Sequence, residues 1–435
     1  MIDKDNAGEV TSPTPPHRGG RGGASSPTAT LRFAPSPTGY LHIGGLGMCL
    51  CDYMLAKSMG GRCFLRIEDT DQKREVEGAA EKLIDELKRF GFKFDGDPVY
   101  QSSRAAIYKK YADQLIAEGK AYMDEGAVRF KAPDKTEIKW HDLVKGEMRL
   151  PSLERDPVIL KSNGLPPYNF AHIVDDTLMG VTHVVRGEEW LPSTAEHIQL
   201  RAAVFGDKPA WQYAHLPVIC IMEDGNKRKL SKRKDKEALV EHFLTAGYPI
   251  EALIEYLLTI YNTDFEIWRA ANPKSHWTEF HFRFEKIGSN SPLFDWGKLN
   301  NISQNFLANL TQDEIERRAK AFLGDTVTKD QFKNVCTLLS IDRGTERPRK
   351  DISKFGDITT EFDYLFKPVH MTPLLEKYQH LMKHVHDRDE WFTECKARAV
   401  EFGFKNVRDF TQAIRVALTG RERSTDLYTI STILL

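Results

Sequence analysis

The sequence lacks any long uninterrupted apolar run, although hydrophobic residues make up 41% of its 435 residues. None of its apolar stretches approaches the roughly 20 residues that a membrane-spanning helix needs, so we expect no membrane partner. The N-terminus also lacks the basic-then-apolar pattern of a secretory signal, and Asp3, Asp5 and Glu9 argue against an acid-poor transit peptide. A cytoplasmic location is therefore the prediction.

A charge excess of either sign is missing as well. The 61 Lys and Arg residues are balanced by 62 Asp and Glu residues, which leaves a formal net charge of −1. Bulk charge therefore does not indicate a nucleic-acid partner, and any such partner must be held by local basic patches.

Cysteine is scarce and scattered. The six cysteines stand at positions 49, 51, 63, 220, 336 and 395, and no second Cys or His pair accompanies Cys49 and Cys51. Because this is not the spacing of a metal-ligand set, we predict free thiols on buried faces and no metal site.

Large apolar side chains are almost absent from residues 1–29, which are rich in Pro, Gly, Ser and Thr. Such a stretch buries too little surface to offset its chain entropy, so we predict a disordered tail. After it, residues 31–33 are predicted as a strand, 46–59 as a helix, 62–67 as a second strand and 75–90 as an amphipathic helix. This order is typical of the start of a parallel α/β nucleotide-binding sheet.

The rest of the chain divides by pattern into an inserted region and a helical region. Residues 100–210 mix helices and short strands, 211–221 return to a strand, and the chain from Glu237 onward is mainly helical. The predicted fold class is α/β: a Rossmann-like parallel-sheet domain with an inserted α+β domain, followed by all-α domains. The expected units are a tail (1–29), the sheet domain (30–99 and 211–302), the inserted domain (100–210) and a helical domain (303–435).

Two loops carry residues suited to phosphate binding. Gly44, Gly45 and Gly47 open the first helix, whose N-terminus is a ready phosphate site, and His42 stands just ahead of it. The second loop, residues 229–234, reads Lys-Leu-Ser-Lys-Arg-Lys. Taken singly, the first is equally an ordinary Gly-rich turn and the second a solvated basic loop.

Together the two loops form the pair typical of class I aminoacyl-tRNA synthetases. Residues 32–45 resemble the signature of the glutamyl-tRNA synthetase family, and residues 229–233 resemble its second signature loop. Further blocks occur in the order of that family, at 66–71, 167–176, 183–190, 294–299 and 415–421. The resemblance runs from about residue 31 to residue 433.

The resemblance implies a glutamate site, and the chemistry of glutamate agrees with it. Two carboxylates need fixed cations, and the rigid two-pronged guanidinium groups of Arg32 and Arg186 suit them. The ammonium needs a carboxylate, for which Glu68 is implied. The implied glutamate-binding residues are Arg32, Ala34, Ser36, Glu68, Tyr168 and Arg186.

The resemblance also implies ATP as a substrate, with Mg²⁺ on its triphosphate. The implied ATP-binding residues are Thr38, His42, Gly44, Gly45, Glu188, Trp190 and Lys232. His42, Lys229 and Lys232 are the implied catalytic donors to the phosphates. Bacterial members often carry a cysteine-rich zinc knuckle in the inserted domain, but residues 121–130 contain no Cys, so we expect no structural zinc.

The implied macromolecular partner is tRNA(Glu), with tRNA(Gln) left open, and the chain is expected to be a monomer. The inserted domain would contact the acceptor stem, and the helical domain would contact the stem and anticodon. A basic cluster at Arg343, Arg347, Arg349 and Lys350 either meets tRNA phosphates or is a solvated loop. His172 is given no role and is expected to be a satisfied, buried or half-buried side chain.

Three other functions remain to be weighed against this one. A short paralogue that transfers glutamate to a modified tRNA base would end soon after the catalytic half. A glutaminyl synthetase would fit the wording around 186–190 less well. A non-catalytic tRNA-binding protein of the same fold is the third, and the joint presence of His42, Lys229, Lys232, Arg32 and Glu68 argues against a decayed site.

Overall fold

The computed structural model describes residues 28–71, 76–134, 136–206, 208, 210–231, 234–235 and 238–435. Most of the predicted N-terminal tail and Lys232 lie outside these residues. Among the residues that the model describes, no helix is long and apolar enough to cross a membrane.

The described strands form four sheets, two of three strands, one of four strands and one of two strands. They are β1 Thr30–Phe33, β2 Arg62–Ile67, β3 Val99–Tyr100, β4 Ala121–Asp124, β5 Ala127–Phe130, β6 Glu137–Asp142, β7 Gly146–Pro151, β8 Val158–Leu160, β9 His183–Gly187, β10 Gln212–Leu216, β11 Cys220–Glu223 and β12 Asn226–Lys229.

A parallel arrangement lies at the centre, as predicted. Strands β1, β2 and β3 pair in parallel, and β9, β10 and β6 form a second parallel set that β7 closes antiparallel. The backbone N–H of Thr182 donates to the carbonyl of Thr30 at 2.9 Å, which brings β9 beside β1. The chain therefore reverses its strand order between β1 and β9, where open α/β sheets bind their ligands.

Helices cover this sheet and form the whole C-terminal region. They are α1 Ile43–Ser58, α2 Ala79–Arg89, α3 Ala105–Ala117, α4 Tyr168–Leu178, α5 Thr194–Phe205, α6 Val240–Ala246, α7 Ile250–Tyr261, α8 Phe265–Ala271, α9 Trp296–Asn309, α10 Gln312–Leu323, α11 Lys329–Ser340, α12 Asp357–Glu361, α13 Pro373–Met382, α14 Arg388–Arg398, α15 Val407–Thr419 and α16 Leu427–Leu434.

Three apolar cores correspond to three parts of the chain. One joins β1, β2, α1 and α7, a second lies within residues 107–213, and a third lies within residues 306–435. The helical part attaches to the sheet part through backbone bonds, since Phe355 donates to the carbonyl of Gly247 at 2.9 Å. Helix α9 runs through position 302, so the predicted boundary there falls inside one helix.

Several predicted element boundaries were wrong. The helix predicted at 46–59 begins earlier, because the side chain of His42 caps its first turn. The strand predicted at 211–221 is broken into β10 and β11, with Pro217 between them lacking a backbone donor. Lys229 ends β12 instead of standing in a loop.

Candidate active site

A cleft of about 720 Å³ opens at the carboxyl ends of β1 and β9, at the reversal point of the sheet. The predicted site residues that line it are Arg32, Ala34, Ser36, His42, Gly44, Gly45, Glu68, Tyr168, Arg186, Trp190 and Lys229. The two signature loops thus meet in one cavity. The start of α6, which follows the second loop in the chain, also bonds to the first loop, since the N–H of Val240 donates to the carbonyl of Leu41 at 3.0 Å.

His42 stands at the N-terminus of α1 with a defined ring orientation. Its Nδ1 accepts a hydrogen bond from the backbone N–H of Gly44 at 2.9 Å. A neutral ring that accepts at Nδ1 carries its proton on Nε2, so the outer nitrogen is a donor. Gly44 and Gly45 line the cleft beside it, where backbone can come close to a ligand.

Arg32 is anchored by the buried carboxylate of Asp176, a residue to which the resemblance assigns no role. Its Nε lies 2.9 and 3.0 Å from the two oxygens of Asp176, and its Nη1 donates to the carbonyl of Val185 at 3.2 Å. Asp176 also pairs with Arg66. Burial acts to raise the pKa of Asp176, but the two guanidinium groups outweigh it and hold that pKa well below its usual range.

Glu68 follows β2 and faces the same cleft. Its Oε1 accepts from Nη2 of Arg66 at 2.9 Å, and its side chain is 8% exposed. Burial raises the pKa of Glu68, against the opposing charge of Arg66. The carboxylate is therefore fixed in place at the edge of the cavity, where it can accept from an ammonium group.

Arg186 is buried and has only neutral partners among the residues described. Its Nε donates to Nε2 of His215 at 3.0 Å, and Nη2 donates to the hydroxyl of Thr194 at 2.9 Å. Its Nη1 lies 2.9 Å from Nδ1 of His197. Since none of the ion pairs in the described part of the chain includes Arg186, its charge is available to an anion in the cleft.

The histidines around Arg186 are held neutral, which lets them accept its hydrogen bonds. Burial, and then the charge of Arg186, hold the pKa of His197 well below its usual value. Burial also lowers the pKa of His215, against the opposing effect of Asp142. Nδ1 of His215 lies 2.5 Å from Oδ2 of Asp142, so the ring donates there and presents Nε2 as the acceptor.

Two aromatic side chains in the cleft lining lie against each other. The rings of Tyr168 and Trp190 lie 4.1 Å apart between centroids, and burial raises the pKa of the Tyr168 hydroxyl. His172, on the next turn of α4, is fully buried as expected. Its Nδ1 pairs with Oδ2 of Asp176 at 2.8 Å, whereas Nε2 has no hydrogen-bond partner in the described structure, so the ring is satisfied at one nitrogen only.

Two predicted ATP-binding residues do not line the cleft. Thr38 is exposed on the loop after β1. The carboxylate of Glu188 is occupied elsewhere: it accepts from Lys145 at 2.6 Å, from the backbone of Val218 at 3.1 Å and from Ser291 at 3.0 Å. Its neighbour Glu189 lines the cleft instead and pairs with Lys229 at 2.9 Å.

The predicted zinc-free stretch at residues 121–130 forms the hairpin of β4 and β5. Across the residues that the model describes, no three His, Cys, Asp or Glu side chains are grouped to hold a metal ion. The six cysteines are free, and five of them are buried.

The geometry is that of a class I synthetase, and comparison with known proteins agrees. The family model described as "tRNA synthetases class I (E and Q), catalytic domain" matches residues 28–127 and 124–272. The chain is 34% identical to a glutamate–tRNA ligase of Clostridium perfringens (strain 13 / Type A), over 93% of this chain and 92% of that protein. It is 35% identical to one of Acetivibrio thermocellus, over 94% and 92%. The chain belongs to the glutamate–tRNA ligase family of class I aminoacyl-tRNA synthetases.

Solved structures support the fold. The crystal structure of a glutamate tRNA ligase from Elizabethkingia meningosepticum, in complex with its amino acid, superposes with a TM-score of 0.77. It is 24% identical, and the match covers 93% of this chain and 96% of that one. The glutamate-tRNA synthetase of Elizabethkingia anophelis superposes with a TM-score of 0.75 at 24% identity.

Proposed function

We propose that this chain activates L-glutamate with ATP and transfers it to the 3′-terminal adenosine of tRNA(Glu). The observation that carries the proposal is the arrangement in one cleft of a buried, uncompensated Arg186, a fixed carboxylate at Glu68, and both signature loops. An arginine without an anionic partner is suited to a carboxylate ligand, and a carboxylate at the rim is suited to an ammonium ion.

The glutamate end of the cleft would bind all three charges of the substrate. Arg186 and Arg32 are proposed to hold the two carboxylates, and Glu68 the α-ammonium. Ala34 and Ser36 would shape the wall, and Tyr168 would cover the ligand. Glutamine would present N–H groups to an arginine that has only donors, and such mismatched pairing can reject an analogue by about 10⁴–10⁵.

Activation needs placement and charge neutralisation more than proton transfer. A substrate α-carboxylate oxygen attacks the α-phosphorus of ATP and forms the mixed anhydride, and the bond from that phosphorus to the bridging oxygen breaks to release pyrophosphate. A ribose hydroxyl of the tRNA then attacks the carbonyl carbon and AMP departs. Since the carboxylate is already a nucleophile, no strong base is required.

The ATP end is proposed to use His42 Nε2, the backbone at Gly44 and Gly45, Lys229 and Lys232, with Mg²⁺ on the triphosphate. Trp190 would flank the nucleotide. Glu188 would act indirectly, because its three hydrogen bonds fix the turn that carries Trp190. Thr38 would contribute only from the exposed rim of the loop.

ATP–pyrophosphate exchange with glutamate, with and without tRNA, tests this function. Lys232→Ala should slow adenylate formation by roughly 10²–10³ while the thermal unfolding transition persists. Arg32→Ala should weaken glutamate binding far more than ATP binding. An unchanged single-turnover rate for K232A would contradict a catalytic role for Lys232. Absence of exchange by the wild type under every condition would favour a non-catalytic tRNA-binding protein.

The finer points of the proposal are the tRNA specificity, the monomeric state and the cytoplasmic location. Charging assays on purified tRNA(Glu) and tRNA(Gln) decide the first, and sedimentation at several concentrations decides the second. The location stays a prediction from the sequence.

A further inference from the structure

Asp52 is a buried carboxyl in the cleft to which neither the motifs nor the proposed reaction gives a role. It lies on α1, is 2% exposed, and lines the cavity on the same helical face as Gly45 and Met48. None of the hydrogen bonds within the described part of the chain involves its carboxyl, and Oδ1 is sealed from solvent without a partner. A buried carboxyl in this condition points to a ligand group that completes it.

The surroundings of Asp52 favour its neutral form. An ionised carboxylate without hydrogen bonds is costly to bury, and burial raises the pKa of Asp52 well above its usual value. Arg32 opposes this shift and Asp176 adds to it. Burial first, and the nearby Asp52 as well, raise the pKa of the thiols of Cys49, Cys51 and Cys63, so these thiols supply no positive charge beside it.

The net charge of the glutamate end of the cleft depends on whether the carboxyl of Asp52 is protonated. Three buried guanidinium groups, those of Arg32, Arg66 and Arg186, lie there with two carboxylates, those of Asp176 and Glu68. Asp175 is paired with Arg104 at 2.7 Å and adds no net charge. A neutral Asp52 therefore leaves these five groups with a net charge of +1, and an ionised Asp52 cancels that charge. Glutamate carries a net charge of −1 at neutral pH, whereas glutamine carries none.

We propose that Asp52 determines specificity for glutamate: its unpartnered carboxyl, in the cleft wall, donates a hydrogen bond to a substrate carboxylate beside Arg32 and leaves the excess positive charge of the three arginines for the anionic substrate. This inference rests on the proposed function and adds a residue to its glutamate site. Ionisation of Asp52 would replace the donor with a negative charge facing a carboxylate, so glutamate would be repelled and the preference over glutamine would shrink.

The test compares Asp52→Asn with Asp52→Leu in the full-length protein. Asparagine keeps a neutral donor of the same size, whereas leucine keeps neutrality without a donor. Loss of a hydrogen bond to a charged group predicts that D52L raises the KM for glutamate by about tenfold or more, with the KM for ATP nearly unchanged. D52N should recover most of that loss. Cys51→Ala, a buried change on the same helix outside the cleft lining, is the matched control.

The second measurement is kcat/KM for glutamate relative to glutamine across the whole pH range in which the protein stays folded. The wild-type ratio should fall as pH rises through the pKa of Asp52, and the D52N ratio should stay flat, because its amide does not ionise. Equal losses in D52N and D52L, no loss in D52L, or the same pH profile in D52N as in the wild type would each overturn the inference. A wild-type protein that supports no exchange with glutamate at any pH, with or without tRNA, would instead overturn the proposed function.

Discussion

At the scale of single residues, the orientation of Arg186 depends on Asp142, which lies on a different part of the chain. Oδ1 of Asp142 accepts backbone bonds from Val144, Lys145 and His215 at 2.9–3.1 Å, and Oδ2 faces Nδ1 of His215. The carboxylate thereby fixes which nitrogen of His215 accepts from Arg186. Asp142 is thus a positioning residue that acts through an imidazole.

Asp142→Asn is expected to raise the KM for glutamate by roughly tenfold and to leave the KM for ATP nearly unchanged. With Oδ1 engaged by three backbone donors, the new amide must turn its N–H₂ toward His215. The ring proton then moves to Nε2 and opposes the Nε–H of Arg186. His141→Asn, on the exposed side of the same strand, is the control. Equal rises in both KM values would indicate general damage to the cleft instead.

His172 gives the molecule a pH dependence of known sign. Burial lowers its pKa to about 3, whereas an unfolded histidine titrates near 6.5. Below about pH 6.5 the unfolded chain therefore binds a proton that the folded chain excludes, and the free energy of unfolding falls as the pH falls, by about 1.4 kcal/mol per pH unit. Asp52 has the opposite sign, since its pKa is raised.

A variant isolates the contribution of His172 from that of Asp52. We compare the free energy of unfolding of the wild type with that of His172→Gln. The difference between the two is expected to fall by about 1.4 kcal/mol for each pH unit from 6.5 down to about 4. Urea unfolding at a series of pH values measures this difference. A difference that stays constant with pH would show that the folded protein does not exclude the proton.

Residues within the signature blocks could be predicted to line the cleft, and residues that support them could not. Arg32, Glu68 and Arg186 stand at strand ends, where parallel sheets present their side chains to a ligand. Asp142 reaches the site only through the pairing of β6 with β10. Glu188 and Glu189 are adjacent in one motif, and only the turn geometry decides that Glu189 faces the cleft.

At the scale of elements, the packing of α1 on α7 sets the wall of the cleft. A Cβ added at Gly47 would lie 2.5 Å from the ring of Tyr261, which itself lines the cavity. Gly47→Ala should therefore push α7 outward, lower stability by about 1–3 kcal/mol and raise the KM for ATP. Gly288→Ala, where a Cβ has open space, is the control. Wild-type stability in G47A would contradict this packing.

The pair between Lys229 and Glu189 links β12 to the turn after β9. Its 2.9 Å contact is half exposed and contributes little to stability. A phosphate would compete with Glu189 for the same ammonium group. Glu189→Gln is accordingly expected to lower the KM for ATP by up to about fivefold. A raised KM would show that Glu189 assists nucleotide binding. Steady-state exchange at varied ATP measures the effect.

Element types were predicted more accurately than element limits. The strand–helix–strand start follows from periodicity, and the sheet is parallel as predicted. The helix that begins at Ile43 was placed too late because three of its first five residues are glycines, which hydrophobic periodicity does not detect. The hairpin of β6 and β7 joins the central sheet from within the inserted region, and such long-range pairing leaves no local signal.

At the scale of the whole molecule, the helical region is joined to the sheet region by specific polar contacts as well as by α9. Arg318 on α10 pairs with Glu251 on α7 at 2.7 Å, and the backbone of Gly356 donates to the carbonyl of Ala246 at 3.2 Å. These contacts connect the proposed tRNA-reading end to α6 and to α7, and α7 ends at the cleft residue Tyr261.

The predicted basic cluster near residue 343 contains side chains that bond within the protein and side chains that are exposed. Arg343 is half-buried, and its Nη1 donates to the carbonyls of Leu307 and Leu310 at 2.9 Å, while its Nε donates to Leu339 at 2.9 Å. It therefore caps the ends of α9 and α11. Arg349 pairs with Asp351 at 2.9 Å. Arg347 and Lys350 remain exposed.

This separation predicts how tRNA binding depends on salt. If Arg347 and Lys350 bind phosphates, the double change to alanine should lower the slope of log affinity against log salt by about 1 for each phosphate that is no longer neutralised, without a change in stability. Arg343→Ala should instead lower the free energy of unfolding by about 1–3 kcal/mol, because four backbone carbonyls lose its hydrogen bonds, and leave the slope unchanged. Filter binding of tRNA(Glu) from about 50 to 200 mM salt, beside thermal unfolding, measures both. An unchanged slope in the double variant would show that Arg347 and Lys350 are solvated and do not bind phosphate. Other basic residues of α10 to α16 would then have to bind the tRNA.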